Sequence, residues 1–217
     1  MYSKIVVVSG GSIVDEFAKS FIEQYKPEYI IVADSGMEFM RRVGLKPNMV
    51  IGDFDSVRLE TLEYFKTQPE IIFKVLNPVK DDTDTEFAIR QAIELGAKKI
   101  SVLGATGTRL DHVLGNVALL GIGLNEQVDI QLVDAHNRIR MIDKSMKLAK
   151  AEQFGSVVSL IPYAGEVKGV TLKGFKYPLE NYTMTGFSSL GISNEIIGEE
   201  VEILLEEGIL LVIEARD

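Results

Sequence analysis

An α/β protein is predicted, with an N-terminal, mainly parallel sheet flanked by helices and a smaller C-terminal all-β sandwich. Three observations predict it. Up to about residue 142, short apolar runs alternate with helix-period segments. That alternation marks a parallel sheet covered on both faces. Beyond residue 142 there are only short β-type runs separated by glycine and polar turns. Finally, charged side chains recur where the predicted strands run out, and in a parallel sheet those ends share one edge. The expected domains are residues 1–142 and 143–217.

The strands expected in the first domain are Ile5 to Ser9, Tyr29 to Ala33, Met49 to Ile51, Ile71 to Val75, Lys99 to Leu103 and Asp129 to Val133. A helix is expected from Val14 to Gln24. Another opens at Thr83, which with Glu86 fits a capping box; Ala88, Ala92 and Leu95 form its apolar stripe and Gly96 stops it. Leu110, Val113, Leu114, Val117 and Leu120, at spacings of three and one, mark a further helix. In the tail, Ser156 to Ile161, Val167 to Leu172, Tyr182 to Thr185, Val201 to Leu205 and Ile209 to Ile213 read as strands. Glu206-Glu207-Gly208 joins the last two as a hairpin.

Composition narrows the function. The formal charge of −9, from 23 basic and 32 acidic residues, argues against a nucleic-acid partner. No stretch approaches the ~20 apolar residues of a membrane span, and the N-terminus reads as a buried strand rather than a targeting segment. With no cysteine there is no thiol nucleophile, thiolate metal site or disulfide, which fits a cytoplasmic location.

The chemistry concentrates in Asp53-Phe54-Asp55. If Met49 to Ile51 is a strand, residues two apart leave the chain on one side, so both carboxylates point together from its carboxyl end. Two close carboxylates repel unless a cation holds them, and magnesium carrying phosphate oxygens is the cation expected. Asp84 joins Asp53 and Asp55 as a candidate ligand, although the first helical turn favours a carboxylate in any case. Arg109 suits bidentate phosphate binding, Lys80 supplies a second positive charge, and Asp111 stands beside Arg109 as a simple ion-pair partner or a site residue. Gly10-Gly11-Ser12 is a weak phosphate-loop signal, and Gly104 to Arg109 a better one.

Taken together, six segments resemble the thiamine pyrophosphokinases. They are Ala33-Asp34-Ser35-Gly36, Gly52-Asp53-Phe54-Asp55-Ser56, Lys80-Asp81-Asp82-Thr83-Asp84, Gly107-Thr108-Arg109-Leu110-Asp111-His112, Gly174 to Asn181, and Ser188 to Asn194. The resemblance implies an ATP-binding α/β domain, a β-sandwich that binds thiamine, and a homodimer whose thiamine pocket draws on both subunits. It assigns Asp53, Asp55 and Asp84 to magnesium and the triphosphate. Asp34, Gly36, Lys80, Arg109 and Asp111 would line the same site, and Ser193, Asn194 and Tyr177 the thiamine site. The implied reaction moves a diphosphate group from ATP to thiamine's hydroxyl, with Asp84 or Asp111 as proton acceptor. One segment departs from pattern: the family's common Ala-Asp-Gly-Gly-Ala-Asn carries Ser35, Met37 and Glu38 in this chain. Two other readings stand beside this one. Asp53-Phe54-Asp55-Ser56-Val57 also fits the nucleophile motif of haloacid-dehalogenase-type phosphatases, and a nucleotide-binding module without turnover would explain the altered segment.

Overall fold

The computed structural model describes residues 1–77 and 82–217, which fall into two compact units, Met1–Ala135 and His136–Asp217. Lys80 and Asp81 lie outside the described residues. The division falls ahead of the boundary expected at 142 because Asn137–Ile142 pairs with the C-terminal strand Glu207–Ala215.

The first unit runs β1 (Lys4–Val8), α1 (Asp15–Tyr25), β2 (Tyr29–Ala33), α2 (Gly36–Val43), β3 (Met49–Gly52), α3 (Leu59–Lys66), β4 (Ile72–Val75), α4 (Asp84–Glu94), β5 (Lys99–Leu103), α5 (Leu110–Glu126) and β6 (Asp129–Val133). Its strands pair in parallel in the order β4-β3-β2-β1-β5-β6. From β1 the chain steps outward to β4, then returns across the sheet to β5. Right-handed crossovers therefore place the outgoing and returning helices on opposite faces. In agreement, α1, α2 and α3 pack in sequence on one another, whereas α4 lies over β1, β2 and β3 and touches α5. The direction of winding reverses between β1 and β5, where such sheets open a crevice.

The central strands are apolar on both faces because both are covered. Ile5, Val6, Val7, Val8, Ile31, Val32, Val50, Ile51, Ile100 and Val102 are fully buried. Two helices, α2 and α3, were not expected from the sequence. α2 begins at a glycine, has no side-chain cap and is only 8 residues long, so its local signal is weak. Burial of Met37, Phe39 and Met40 supplies what propensity does not.

The second unit contains β7 (Asn137–Ile142), β8 (Met146–Ala149), β9 (Val157–Lys173), β10 (Leu179–Met184), β11 (Glu200–Leu204) and β12 (Glu207–Ala215), with one 3-10 turn at Lys150–Glu152. Two of the expected tail strands are one 17-residue strand, β9. It bends at Ala164, Gly165 and Gly169, all with positive φ, and so serves two layers. Its first half pairs with β12, and its second half with β10 and β11. Val158, Leu160, Val170, Leu172, Phe175, Val201, Ile203 and Val212 fill the space between the layers.

One buried polar contact ties α4 to the central strand: the hydroxyls of Ser9 and Thr85 lie 2.6 Å apart, both residues being buried. Thr85→Val should leave the Ser9 hydroxyl unpaired and cost about 1–3 kcal/mol, read as a lower urea midpoint with unchanged slope.

Candidate active site

Loops at the carboxyl ends of the parallel strands build the site. After β2 the chain turns at Asp34, which adopts φ 45°. Its N–H donates to the Ile51 carbonyl (2.8 Å) and its carbonyl accepts from the Met37 N–H (3.1 Å). Gly36 follows where no side chain fits, since a Cβ there would lie 2.5 Å from the Val8 carbonyl oxygen. The close approach expected of a glycine at position 35 is supplied from the other side: a Cβ on Gly10 would overlap the Ser35 hydroxyl.

Asp53 and Asp55 do converge, but by a turn and not by strand alternation. β3 ends at Gly52, and Phe54 between the two acids has φ 65°. The Phe54 ring meets Phe73 edge-on at 6.0 Å, holding the turn down. The Asp55 N–H donates to Asp53 Oδ1 (3.2 Å). Carboxylate oxygens of Asp34, Asp53 and Asp55 all lie within 4.8 Å of one another, the one such group among the described residues. Asp84 lies outside this group. Asp84 stands at the first position of α4, whose cap is Thr83 accepting from the Glu86 N–H (3.2 Å). It is still near enough for its charge to act on Asp34.

The Asp34 carboxyl is perturbed by its surroundings. Burial pushes its pKa up, the Ser56 hydroxyl and Ser35 N–H pull it back, and the charges of Asp84 and Asp53 push it up again. The Ser56 hydroxyl donates to Oδ2, whereas Oδ1 is buried with no hydrogen-bond partner. An orphaned carboxylate oxygen among like charges fits a hard divalent cation with oxygen ligands, and the donor set is all-oxygen. Sequence reasoning left Ser56 without a role, although it closes the Gly52–Ser56 motif.

Arg109 and Asp111 flank the start of α5 and are exposed. Arg109 Nη2 and Nε donate to Asp111 Oδ2 and Oδ1 at 2.6 and 3.2 Å. Together with the His112 N–H, this lowers the Asp111 pKa to about 2. The preceding loop is laced to the one after β1: the Gly11 N–H donates to the Gly104 carbonyl and the Ser12 N–H to the Thr106 carbonyl, each 2.8 Å. Asn116 donates to the Ala105 carbonyl (2.7 Å) and Thr106 to Asp134 (2.8 Å). Arg109 therefore leaves a firm loop, not a loose one.

In the second unit, Asn194 is buried and its side-chain amide is engaged by the Tyr177 backbone, accepting from N–H (3.0 Å) and donating to C=O (2.8 Å). The Tyr177 ring is exposed beside the Lys176 ammonium. Ser193 adopts φ 57°, and its N–H donates to Ser159 (3.0 Å), leaving its own side chain outward. Asn194 thus holds the backbone that presents Tyr177.

Residues 22–132 match the model of the thiamin pyrophosphokinase catalytic domain, and residues 144–210 that of the thiamin pyrophosphokinase vitamin B1 binding domain. The thiamine pyrophosphokinase of Bacillus subtilis (strain 168) is 35% identical over 188 residues, covering 86% of this chain and 87% of that one. The chain belongs to the thiamine pyrophosphokinase family. Thiamine pyrophosphokinase 1 of Oryza sativa subsp. japonica is 27% identical, covering 88% of this chain and 74% of its own. Among solved structures, the Bacillus subtilis thiamine pyrophosphokinase superposes with TM-score 0.88 at 33% identity, covering 98% of this chain and 99% of that one. The Geobacillus thermodenitrificans thiamin pyrophosphokinase gives 0.84 at 33%, covering 98% and 97%. Membership along both units sets aside the phosphatase reading of Asp53.

Ionised Asp34 opposes folding when no cation is bound, because its folded pKa lies above the unfolded value. Its contribution is most favourable below the ordinary aspartate pKa and is lost as pH rises through the raised one. Asp34→Asn should therefore raise the melting temperature of magnesium-free protein at neutral pH. The gain should shrink toward pH 4 and give way to a loss of magnesium-induced stabilisation. Parallel thermal melts with chelator and with magnesium check this.

Proposed function

We propose that this thiamine pyrophosphokinase family member transfers a diphosphate group from ATP to the hydroxyl of thiamine, giving thiamine diphosphate and AMP. The observation that carries the reading is the carboxylate trio at the strand ends of a unit matched as the catalytic domain, with Arg109 on a braced loop nearby in sequence to Asp111.

Asp34, Asp53 and Asp55 hold the divalent ion, taken as magnesium, with Asp84 adding negative charge beside them. When bound, magnesium offsets the charge of the polyphosphate oxygens. Arg109 grips phosphate oxygens through its two-pronged guanidinium, exchanging the Asp111 carboxylate for the ligand. Lys80 adds a second positive charge. The thiamine alcohol oxygen attacks the β-phosphorus, the bond from that phosphorus to the α-phosphate oxygen breaks, and AMP leaves. The alcohol's proton passes to a carboxylate. Asp84 and Asp111 are the candidates for that role, Asp111 once Arg109 has exchanged it for phosphate. Such transfers depend on positioning and charge neutralisation more than on covalent chemistry.

Ser193 and Tyr177 contact thiamine, and Asn194 supports them from behind. Exposed Phe187, Leu190, Ile192 and Ile197, clustered within one segment of the second unit, support a homodimer in which they are covered. Cysteine-free composition supports a cytoplasmic location.

Incubation with ATP, magnesium and thiamine should yield AMP and thiamine diphosphate in equal amounts, with no inorganic phosphate released in the absence of thiamine. Asp55→Asn should cut kcat by roughly 10²-fold or more, while circular dichroism and melting stay near those of the parent. Near-parental turnover in that variant would remove Asp55 from the site.

A further inference from the structure

The loop carrying Asp53 and Asp55 keeps two carboxylates facing a third, and their mutual repulsion works against this arrangement when no cation is present. Its own backbone does little to resist this, since its internal contact from the Val57 N–H to the Phe54 carbonyl is long, at 3.4 Å. The loop ends at Arg58, which opens α3 with no side-chain cap of its own. A residue from elsewhere takes that place. Glu38 Oε1 accepts from the Arg58 N–H at 3.0 Å, and Oε2 accepts from the Thr61 hydroxyl at 3.0 Å. The Thr61 hydroxyl in turn accepts from Arg41 Nη1 at 3.0 Å. A carboxylate at a helix N-terminus satisfies unpaired N–H groups and complements the helix dipole.

We propose that Glu38 is a positioning residue that holds the Asp53–Arg58 loop closed, so that Asp53 and Asp55 face Asp34 before any cation arrives. This rests on the reading of those three carboxylates as the cation site. Glu38 lies in the first turn of α2, directly after the turn at Asp34. One segment thus grips the loop twice: Asp34 takes the Ser56 hydroxyl near its middle, and Glu38 takes the Arg58 N–H at its end. The segment is itself immobilised by fully buried Met37 and Met40. The Glu38 side chain is only 17% exposed although charged, whereas Arg58, 3.9 Å away, is 73% exposed. Direct pairing with that arginine therefore contributes little, and the backbone N–H is the functional partner.

The test compares Glu38→Ala and Glu38→Gln with the parent full-length chain. Hydrogen exchange in magnesium-free buffer should be roughly tenfold faster across residues 53–58 in the alanine variant, with α4 unchanged. The magnesium concentration giving half of the thermal stabilisation, and half of the activity, should rise roughly tenfold, as loss of a ligand-orienting contact does. The KM for thiamine should stay put. Glutamine keeps an acceptor for the Arg58 N–H and should restore both readouts. A lower melting temperature with unaltered loop exchange and magnesium requirement would reduce Glu38 to a stabilising contact and overturn the proposal. So would a glutamine variant no better than alanine. Parent protein indifferent to magnesium in both melting and turnover would defeat the cation-site reading instead; the exchange measurement, made without metal, still judges the anchor.

Discussion

Repulsion among Asp34, Asp53 and Asp55 is the constraint to which the first unit's architecture answers. Gathering three carboxylates within 4.8 Å at the edge of a sheet is unfavourable, and one of them has a buried oxygen without a partner. The backbone accepts unusual conformations to achieve it. Asp34 and Phe54 both adopt positive φ, which non-glycine residues rarely do, and Gly52 at the end of β3 sits against the Asp34 Cα. The other two such residues of the first unit, Lys26 and Gln127, merely end helices α1 and α5, whereas Asp34 and Phe54 both stand at the acidic cluster. On the proposed reading, a divalent ion carrying phosphate oxygens would turn the same repulsion into attraction.

Positive charge is handled in the opposite way. Arg109 is exposed and already engaged by Asp111. The pair does not stabilise the fold appreciably, because solvent screens both partners. It keeps the guanidinium extended from a loop whose backbone is bonded to its neighbour through Gly11 and Ser12. The negative groups, half-buried at Asp34 and Asp53 and exposed at Asp55, are thus fixed by backbone turns, whereas the arginine side chain stands in solvent on an ion pair it can exchange.

All six parallel strands could be read from the sequence, because runs such as Ile5 to Val8 and Tyr29 to Ala33 are apolar on both faces and bounded by turn residues. The helix at Thr83 was equally legible, since its cap and stripe are local signals. Helices α2 and α3 were not, because burial of Met37, Phe39 and Phe65 stabilises them and that burial exists only in the assembled fold. The acidic pair was found for an incomplete reason: alternation along a strand predicts the same convergence that a left-handed Phe54 delivers. Asp34 was placed at the site by the family resemblance alone; the adjacency of β2 and β3 is what brings its oxygens beside those of Asp53. Glu38 registered as a departure from the family pattern, and its bond to an amide twenty residues away has no sequence signature.

The second unit holds a different lesson in β9, which pairs with β12 along one half and with β10 and β11 along the other. Because the same 17 residues belong to both layers, neither layer can detach without stripping the other of its partner strand and opening the shared interior. Loss of structure in this unit is accordingly all-or-none, and the exposed surface around Tyr177 rides on a foundation that does not melt piecemeal.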